Sequence, residues 1–439
     1  MISDNHKKTA QWAMDYALKN GCQAARVGVY SSTDTSIDVN DTKIDKLKQA
    51  SENALSIRLY VDGRYGNFST NRIDRNELER FIKNGIESTR VLAPDEHRAL
   101  PDASRYYQGG KPDLQLCDSH HGNISPDAKV EITKNIAAQI YGTDERIILV
   151  SSGYQDVVSD SYIITSNGFE GENSSTYFGA SASVSVKGEG DARPSDGWYE
   201  SAIFFEDLKT DGLGQKALQR VLQKLGQKKE ASGKYTMVVD PLIASTLLNP
   251  MISALYGSSL QQRNSFLLDQ LNNKVVSDKF TLIDNPHLAK SRGARYFDHE
   301  GVRTERRPVF ENGILKTYYI DTYNASKMKT DPTISSPSIL EMGMGDKNLS
   351  QIIAGIDKGI LVTGFNGGNC NSTTGNFSYG IEGFLIEGGR LTQAVSEMNI
   401  TGNMLGLWSN LLETGNDPRL NYSWRIPTLV FDQVDFSGS

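Results

Sequence analysis

Three cysteines in 439 residues, Cys22, Cys117 and Cys370, stand far apart, odd in number and without C-x-x-C spacing. That pattern excludes a disulfide framework and a zinc ribbon, and it fits a reducing compartment. Proline is scarce as well, 13 residues against 40 glycines, a balance that marks turns and hairpins and not disorder. Apolar runs such as Ile147–Val150 and Ala202–Phe205 are short, far below the ~20 residues of a membrane-spanning helix. The opening Met-Ile-Ser-Asp-Asn-His-Lys-Lys holds no apolar stretch, so no secretory signal is expected. There is no excess of positive charge either. With 46 Lys+Arg against 53 Asp+Glu the net charge is −7, which argues against a dedicated nucleic-acid binder. A soluble, cytoplasmic protein without membrane or direct nucleic-acid contacts is expected.

What the chain does have is enough apolar material for a sizeable core, 38% hydrophobic with 9% aromatic residues. Its length suggests about three domains. The first segment reads as a helix, with Ala13, Tyr16 and Ala17 on one face and Asn20-Gly21 as a stop. Alternation follows: Val27 and Val29, Ile37 and Val39, then Leu55, Ile57, Leu59 and Val61, turning at Asp62-Gly63 into Arg64–Ser69. A second helix starts near Asp74 and buries Leu78, Phe81, Ile82 and Ile86. Residues 1–90 therefore form an N-terminal α+β lobe. From 91 to 124 the pattern dissolves around Pro94, Pro101, Gly109-Gly110 and Pro112, a connector or a functional stretch.

A central α+β lobe spans 125–228. It opens on Ser125-Pro126, an N-cap followed by proline at the first helical position. Strands are expected at Arg146–Tyr154, Val157–Thr165 and Tyr177–Lys187, with Asn167-Gly168 as a hairpin signal and a helix over Leu208–Leu225. The two lobes share a plan of meandering strands between helices, with too little residue identity to establish a duplication. A strand-rich C-terminal domain occupies 229–439, with Tyr235–Val239 a strand and a helix running from Asp240-Pro241 toward Tyr256. Pro250 should kink or end that helix. Glu311-Asn312-Gly313 and Glu387-Gly388-Gly389 read as hairpin tips. The fold class is α+β: antiparallel strand-rich lobes with flanking helices and a β-rich C-terminal domain.

Candidate chemistry is sparse. The histidines are His6, His97, His120, His121, His287 and His299. A helical zinc site needs two of them on one helix face, as in H-E-x-x-H or the wider H-E-x-x-x-H. Only His299 precedes a glutamate, and nothing completes its pair, so the histidines read as surface residues. No G-x-S-x-G elbow and no phosphate loop occurs. Cys370 sits in the glycine-rich Gly367-Gly368-Asn369-Cys370-Asn371-Ser372 without a nearby base, which makes a structural role the better reading. Asp298 and Glu300 alternate and are expected to face solvent together. The glycines of 364–368 suit close backbone approach, either within a sheet or to a bound extended peptide.

Three stretches carry a family resemblance. Phe297-Asp298-His299-Glu300-Gly301-Val302 with Val309-Phe310-Glu311-Asn312-Gly313 is one. Gly364–Gly380 continuing through Gly383-Phe384-Leu385-Ile386-Glu387 is the second, and Glu397-Met398-Asn399-Ile400-Thr401-Gly402-Asn403 the third. Together they resemble the TldD/PmbA (TldD/TldE) family, and the Leu55–Thr70 hairpin is similar too. The resemblance implies an α+β fold, cytoplasmic location and membership of a heteromeric zinc metalloprotease. In that family the TldD type carries H-E-x-x-x-H on a helix and a cysteine near the C-terminus, whereas the TldE/PmbA type lacks them. Here the matching helix has Asn249 for the first histidine, Pro250 for the glutamate and Ala254 for the second histidine, and no cysteine follows Cys370. The chain therefore resembles the TldE/PmbA type.

Removing two imidazoles and a thiolate leaves no zinc ligand set, and without the glutamate no base activates a metal-bound water. The expectation is a metal-free, non-catalytic subunit that degrades or trims unfolded peptides together with a zinc-bearing TldD-type paralogue. Asn366, Gly367, Gly368, Asn369, Thr374, Gly375 and Phe377 are the candidate peptide-binding residues; a tight Gly/Asn turn between strands is the alternative for them. Alone, the chain could pair with itself. Two rivals stand beside this reading: a stand-alone peptide- or protein-binding adaptor of the gyrase-modulator kind, and an enzyme acting alone through Cys370 or a dispersed metal site.

Overall fold

The computed structural model describes residues 2–110 and 113–438; Pro112 of the expected connector lies outside the described residues. The first half is built from α1 (Asp4–Lys19), β1 (Ala24–Asn40), β2 (Lys43–Val61), β3 (Arg64–Thr70) and α2 (Arg75–Arg90). The second half comprises α3 (Pro126–Ala138), β4 (Ile147–Thr165), β5 (Glu170–Val186), β6 (Ser195–Ala202) and α4 (Leu213–Gln223). Ser3, Asp74 and Ser125 cap α1, α2 and α3 by accepting from the backbone N–H of His6, Glu77 and Ala128. The lobes expected at 1–90 and 125–228 are bonded into one six-stranded sheet of order β3-β2-β1-β4-β5-β6. β1 and β4 join at its centre, antiparallel from Arg26↔Thr165 to Asn40↔Ser151. Each half repeats helix, three strands, helix.

Alternation explains which face is covered. Val27, Val29, Leu55, Ile57 and Leu59 pack under α1 and α2. Ile37, Val39, Val150, Phe178 and Val184 pack under α3 and α4. The opposite face carries Tyr30, Ser159, Ser161 and Asn173 and is left half-exposed.

Two expectations are corrected here. The strands placed at Arg146–Tyr154 and Val157–Thr165 are one strand, because Gln155 and Asp156 stay paired on both sides. Asp156 mimics a turn residue in sequence but is fully buried, with His121 Nε2 at 2.7 Å and Lys129 Nζ at 2.6 Å. The helix expected from Leu208 starts only at Leu213, since Gly212 adopts a left-handed φ of 71°.

The C-terminal part contains β7 (Gly233–Val239), α5 (Ala244–Ser253), α6 (Gly257–Gln261), β8 (Leu282–Asp284), β9 (Arg307–Glu311), β10 (Ile314–Leu315), α7 (Thr322–Met328) and β11 (Leu340–Met342). After α8 (Leu349–Ala354) come β12 (Lys358–Cys370), β13 (Asn376–Glu387), β14 (Arg390–Asn403), α9 (Met404–Ser409), β15 (Leu411–Thr414), β16 (Trp424–Arg425) and β17 (Leu429–Ser437). Strands β14-β13-β12-β7-β17 close on themselves through Asn399↔Ser437, Ile400↔Phe436 and Thr401↔Asp435. Closure removes the free edges these five strands would otherwise expose. A small sheet, β10-β9-β8-β11-β16, packs beside the barrel. Trp408, fully buried, seals the two together, its ring 4.6 Å from Phe280 and 5.2 Å from Phe431.

Candidate functional site

Helix α5 and its C-cap carry the three positions that the resemblance matches to a metal motif, Asn249, Pro250 and Ala254. The helix begins at Ala244, because Asp240 Oδ1 accepts from Leu242 N in a turn that delays it. Pro250 neither ends nor interrupts it, and three more helical residues follow. Leu247, Leu248, Met251 and Ile252 are all core residues, and their burial outweighs the hydrogen bond that proline deletes. Asn249 is exposed, whereas Ala254 caps the helix with 1% of its surface accessible. An amide in solvent, a pyrrolidine and a buried methyl do not fit a zinc ion. Among the described residues, no group of three or more His, Cys, Asp or Glu side chains converges as a metal site.

The candidate peptide-binding residues fall on one hairpin. Asn366, Gly367, Gly368 and Asn369 lie in the last part of β12, exposed; Thr374, exposed, and Gly375, buried, lie in the turn; Phe377 starts β13 with its ring in the core. The structure brings them together along the arm. Asn371 Oδ1 accepts from the N–H groups of Thr373 and Thr374, and Asn264 Oδ1 accepts from the hydroxyls of Ser372 and Thr373. At Gly368 φ is 106°, and a Cβ there would stand 2.1 Å from the carbonyl oxygen of Ser378. Glycine at that position serves close approach between β12 and β13 at a bulge. Of the seven, Phe377 alone lines a cavity described here, a pocket of about 300 Å³ shared with Gly402, Leu407 and Val434.

Cys370 closes β12 half-buried, and burial pushes its thiol pKa up. A nucleophilic thiol needs the opposite shift.

The Phe297–Gly301 motif corrects a further expectation. Asp298 and Glu300 do not face solvent from a strand. Asp298 is 2% exposed in a turn, and its carboxylate accepts from the backbone N–H of Glu300, Val302 and Ser335 and from the Ser335 hydroxyl. Glu300 accepts from Thr322 N and Oγ1, and burial raises its pKa. At Gly301 φ is 90° and a Cβ would meet the ring of Phe169 at 2.8 Å. Phe169, from the β4–β5 hairpin, packs edge-on to Phe297 at 5.1 Å and beside Tyr106 of the connector. The motif thus docks the C-terminal part onto the first sheet. The histidines also differ from a plain surface set: His121 holds Asp156, and His287 Nε2 lies 3.1 Å from Thr304 Oγ1.

Between the open face of the first sheet and the C-terminal part lies a cleft of about 740 Å³, within the usual range of ligand sites, roughly 300–1,000 Å³. Its floor is the alternating face of β4 and β5, with Gln155, Val157, Asn173, Ser175 and Tyr177. The facing wall is made by residues 291–295, 337–338 and 423–424 and by Tyr256. Tyr256 follows Ala254 by two residues, so the cleft opens beside the end of α5. Arg295 braces the wall, its Nε donating to Ser338 Oγ and its Nη2 to the carbonyls of Ser336 and Pro337. Burial lowers the pKa of Arg295, against the pull of Asp298 and Asp284. Sequence reasoning passed over every one of these residues. The one signal was the run Lys290-Ser-Arg-Gly-Ala-Arg295, three cations within six residues of an acidic chain.

Fold and site together describe an α+β protein in which a helix-flanked sheet faces a barrel-bearing C-terminal part across a cleft. Models of the PmbA/TldA metallopeptidase match it in sequence: domain 1 over residues 25–89, the central domain over 119–225 and the C-terminal domain over 232–438. The chain belongs to the PmbA/TldD family. It is 64% identical to a Bacteroides thetaiotaomicron protein named as a candidate modulator of DNA gyrase, whose crystal structure superposes with a TM-score of 0.99 over 100% of both chains. It is 27% identical to metalloprotease PmbA of Escherichia coli O157:H7, over 94% of this chain and 92% of that one. TldE from Thermococcus kodakarensis, 21% identical, shares the fold with a TM-score of 0.87 over 98% of this chain and 100% of that one.

Proposed function

We propose that this chain is the metal-free, TldE/PmbA-type subunit of a cytoplasmic TldD/TldE-like zinc metalloprotease that degrades or trims unfolded peptides. The observation that carries the reading is α5: the helix is built in full, yet the positions for His, Glu and His hold Asn249, Pro250 and Ala254. A zinc-bearing TldD-type paralogue supplies the metal, and this chain supplies cleft walls that hold the peptide. The relatives named metalloprotease support a peptidase system. The absence of a ligand cluster among the described residues supports placing the zinc elsewhere. The cleft at the end of α5, more than the 366–377 hairpin, is suited to hold an extended chain, because its floor offers amide, hydroxyl and aromatic side chains.

Mixing the purified chain with a TldD-type paralogue tests this. Co-elution and cleavage of an unfolded peptide by the mixture, with neither protein active alone, is the expected result. Separate elution with unchanged activities contradicts it. The name of the Bacteroides relative favours a second reading, an adaptor that acts without any protease; that reading predicts no cleavage on mixing.

A further inference from the structure

The chain carries a net charge of −7, yet the described residues lining the 740 Å³ cleft include no Asp, Glu or Lys, and two arginines supply its charge. Arg295 is spent on the 336–338 loop, as described above. Arg292 is not. It is exposed, its guanidinium lies 4.9 Å from the ring centroid of Tyr177, and it enters no ion pair among the described residues. A third guanidinium backs the wall: Arg425 Nη2 donates to Ser291 Oγ at 2.6 Å, and its Nε is buried without a partner. The nearby carboxylates are occupied behind the wall, Glu341 with Arg425 and Asn285, and Asp284 with Ser338 N. Low-dielectric walls concentrate such a positive field in the cleft. A guanidinium already held on an aromatic face loses little freedom when it grips a carboxylate through two parallel hydrogen bonds.

We infer that the cleft receives the C-terminal carboxylate of a peptide, with Arg292 as the recognising group and the rings of Tyr177, Tyr256 and Trp424 against the adjoining side chains. The inference rests on the peptide-holding role proposed above and gives that peptide an orientation. One free guanidinium matches a singly charged end. Every unfolded chain has such an end whatever its sequence, and the polar groups on the floor, among them Gln155, Asn173 and Ser175, are neutral.

The test is calorimetric binding of three synthetic pentapeptides to the isolated full chain: Ac-Ala-Ala-Ala-Leu-Tyr as free acid, the same peptide as C-terminal amide, and an amide with Glu at the third position. The free acid should bind about tenfold or more tighter than the plain amide, as hydrogen bonds to a charged group imply. Its affinity should fall as salt rises. Arg292→Gln should bring the acid down to the level of the amide and leave the amide unchanged. Arg292→Lys, keeping the charge without the fork, should fall between. Because Arg292 is exposed, both variants should keep the wild-type urea midpoint. Equal binding of acid and amide, or an acid preference that survives Arg292→Gln, overturns the inference and leaves the peptide-holding role standing. If the Glu amide binds as tightly as the acid, the end-group assignment falls. Binding of none of the three removes the peptide-holding role together with the inference.

Discussion

At the scale of single residues, buried carboxylates do most of the positioning. Asp298 gathers four donors and fixes the turn that docks the C-terminal part onto the first sheet, while Asp156 holds His121 and Lys129 under α3. Asp284 differs in that desolvation dominates its surroundings. Burial pushes its pKa up to about 6 despite hydrogen bonding from Ser338 and the nearby Arg307 and Arg295. Because the folded value lies above the unfolded one, the folded chain binds more protons between about pH 4 and pH 6, and this group's contribution to stability falls as pH rises through that window. Asp284→Asn should therefore gain stability relative to wild type as pH goes from 4 to 7, by on the order of 2–3 kcal/mol. Urea midpoints of both proteins at each pH decide the matter, and parallel curves would refute it. None of these carboxylates could be read from sequence. Asp298 and Glu300 alternate like a solvent-facing pair, and only the distant Ser335 and Thr322 reveal them as anchors.

Among the elements, legibility followed locality. The alternation of Leu55, Ile57, Leu59 and Val61 and the Asp62-Gly63 turn place the end of β2 and all but the last residue of β3, because both signals lie within a few residues of what they control; the start of β2 at Lys43 was not read. Ser125-Pro126 places α3 for the same reason. The barrel escaped notice since its closing pairs join residues 399–401 to 435–437, and no local pattern encodes a register over that separation. Helix α5 shows burial overriding propensity. A proline in a helix interior costs about 3 kcal/mol relative to alanine, and the core contacts of Leu247, Leu248, Met251 and Ile252 absorb that cost. Pro250→Ala should consequently raise stability by about 1–3 kcal/mol, seen as a higher urea midpoint. A lower midpoint would mean that the ring makes packing contacts worth more than the missing hydrogen bond.

For the molecule as a whole, the division into an N-terminal lobe, a central lobe and a C-terminal domain conceals how the parts cooperate. Two helix-strand-strand-strand-helix halves share one sheet, and the sheet's open face meets the C-terminal part across the cleft. Lys224 reaches both Asp196 of β6 and Glu382 of β13, and Arg419 pairs with Glu200 while lying over Trp198. Such ties hold the cleft's two walls in one arrangement. The cleft itself was illegible because its lining comes from eight separated stretches of chain, each unremarkable alone. In the hairpin at 366–377, Gly368 sits at the bulge between β12 and β13 and Asn371 holds the turn. Helix α5 was legible as a helix, although its start at Ala244 and its continuation past Pro250 were not.

The most direct test of the account is the zinc content of the full chain, purified without metal-affinity resin and measured by elemental mass spectrometry. Zinc far below one ion per chain, unchanged by prior dialysis against zinc salt and removal of the excess, is the predicted result. One tightly held zinc ion per chain would contradict the assignment of the metal to a companion subunit.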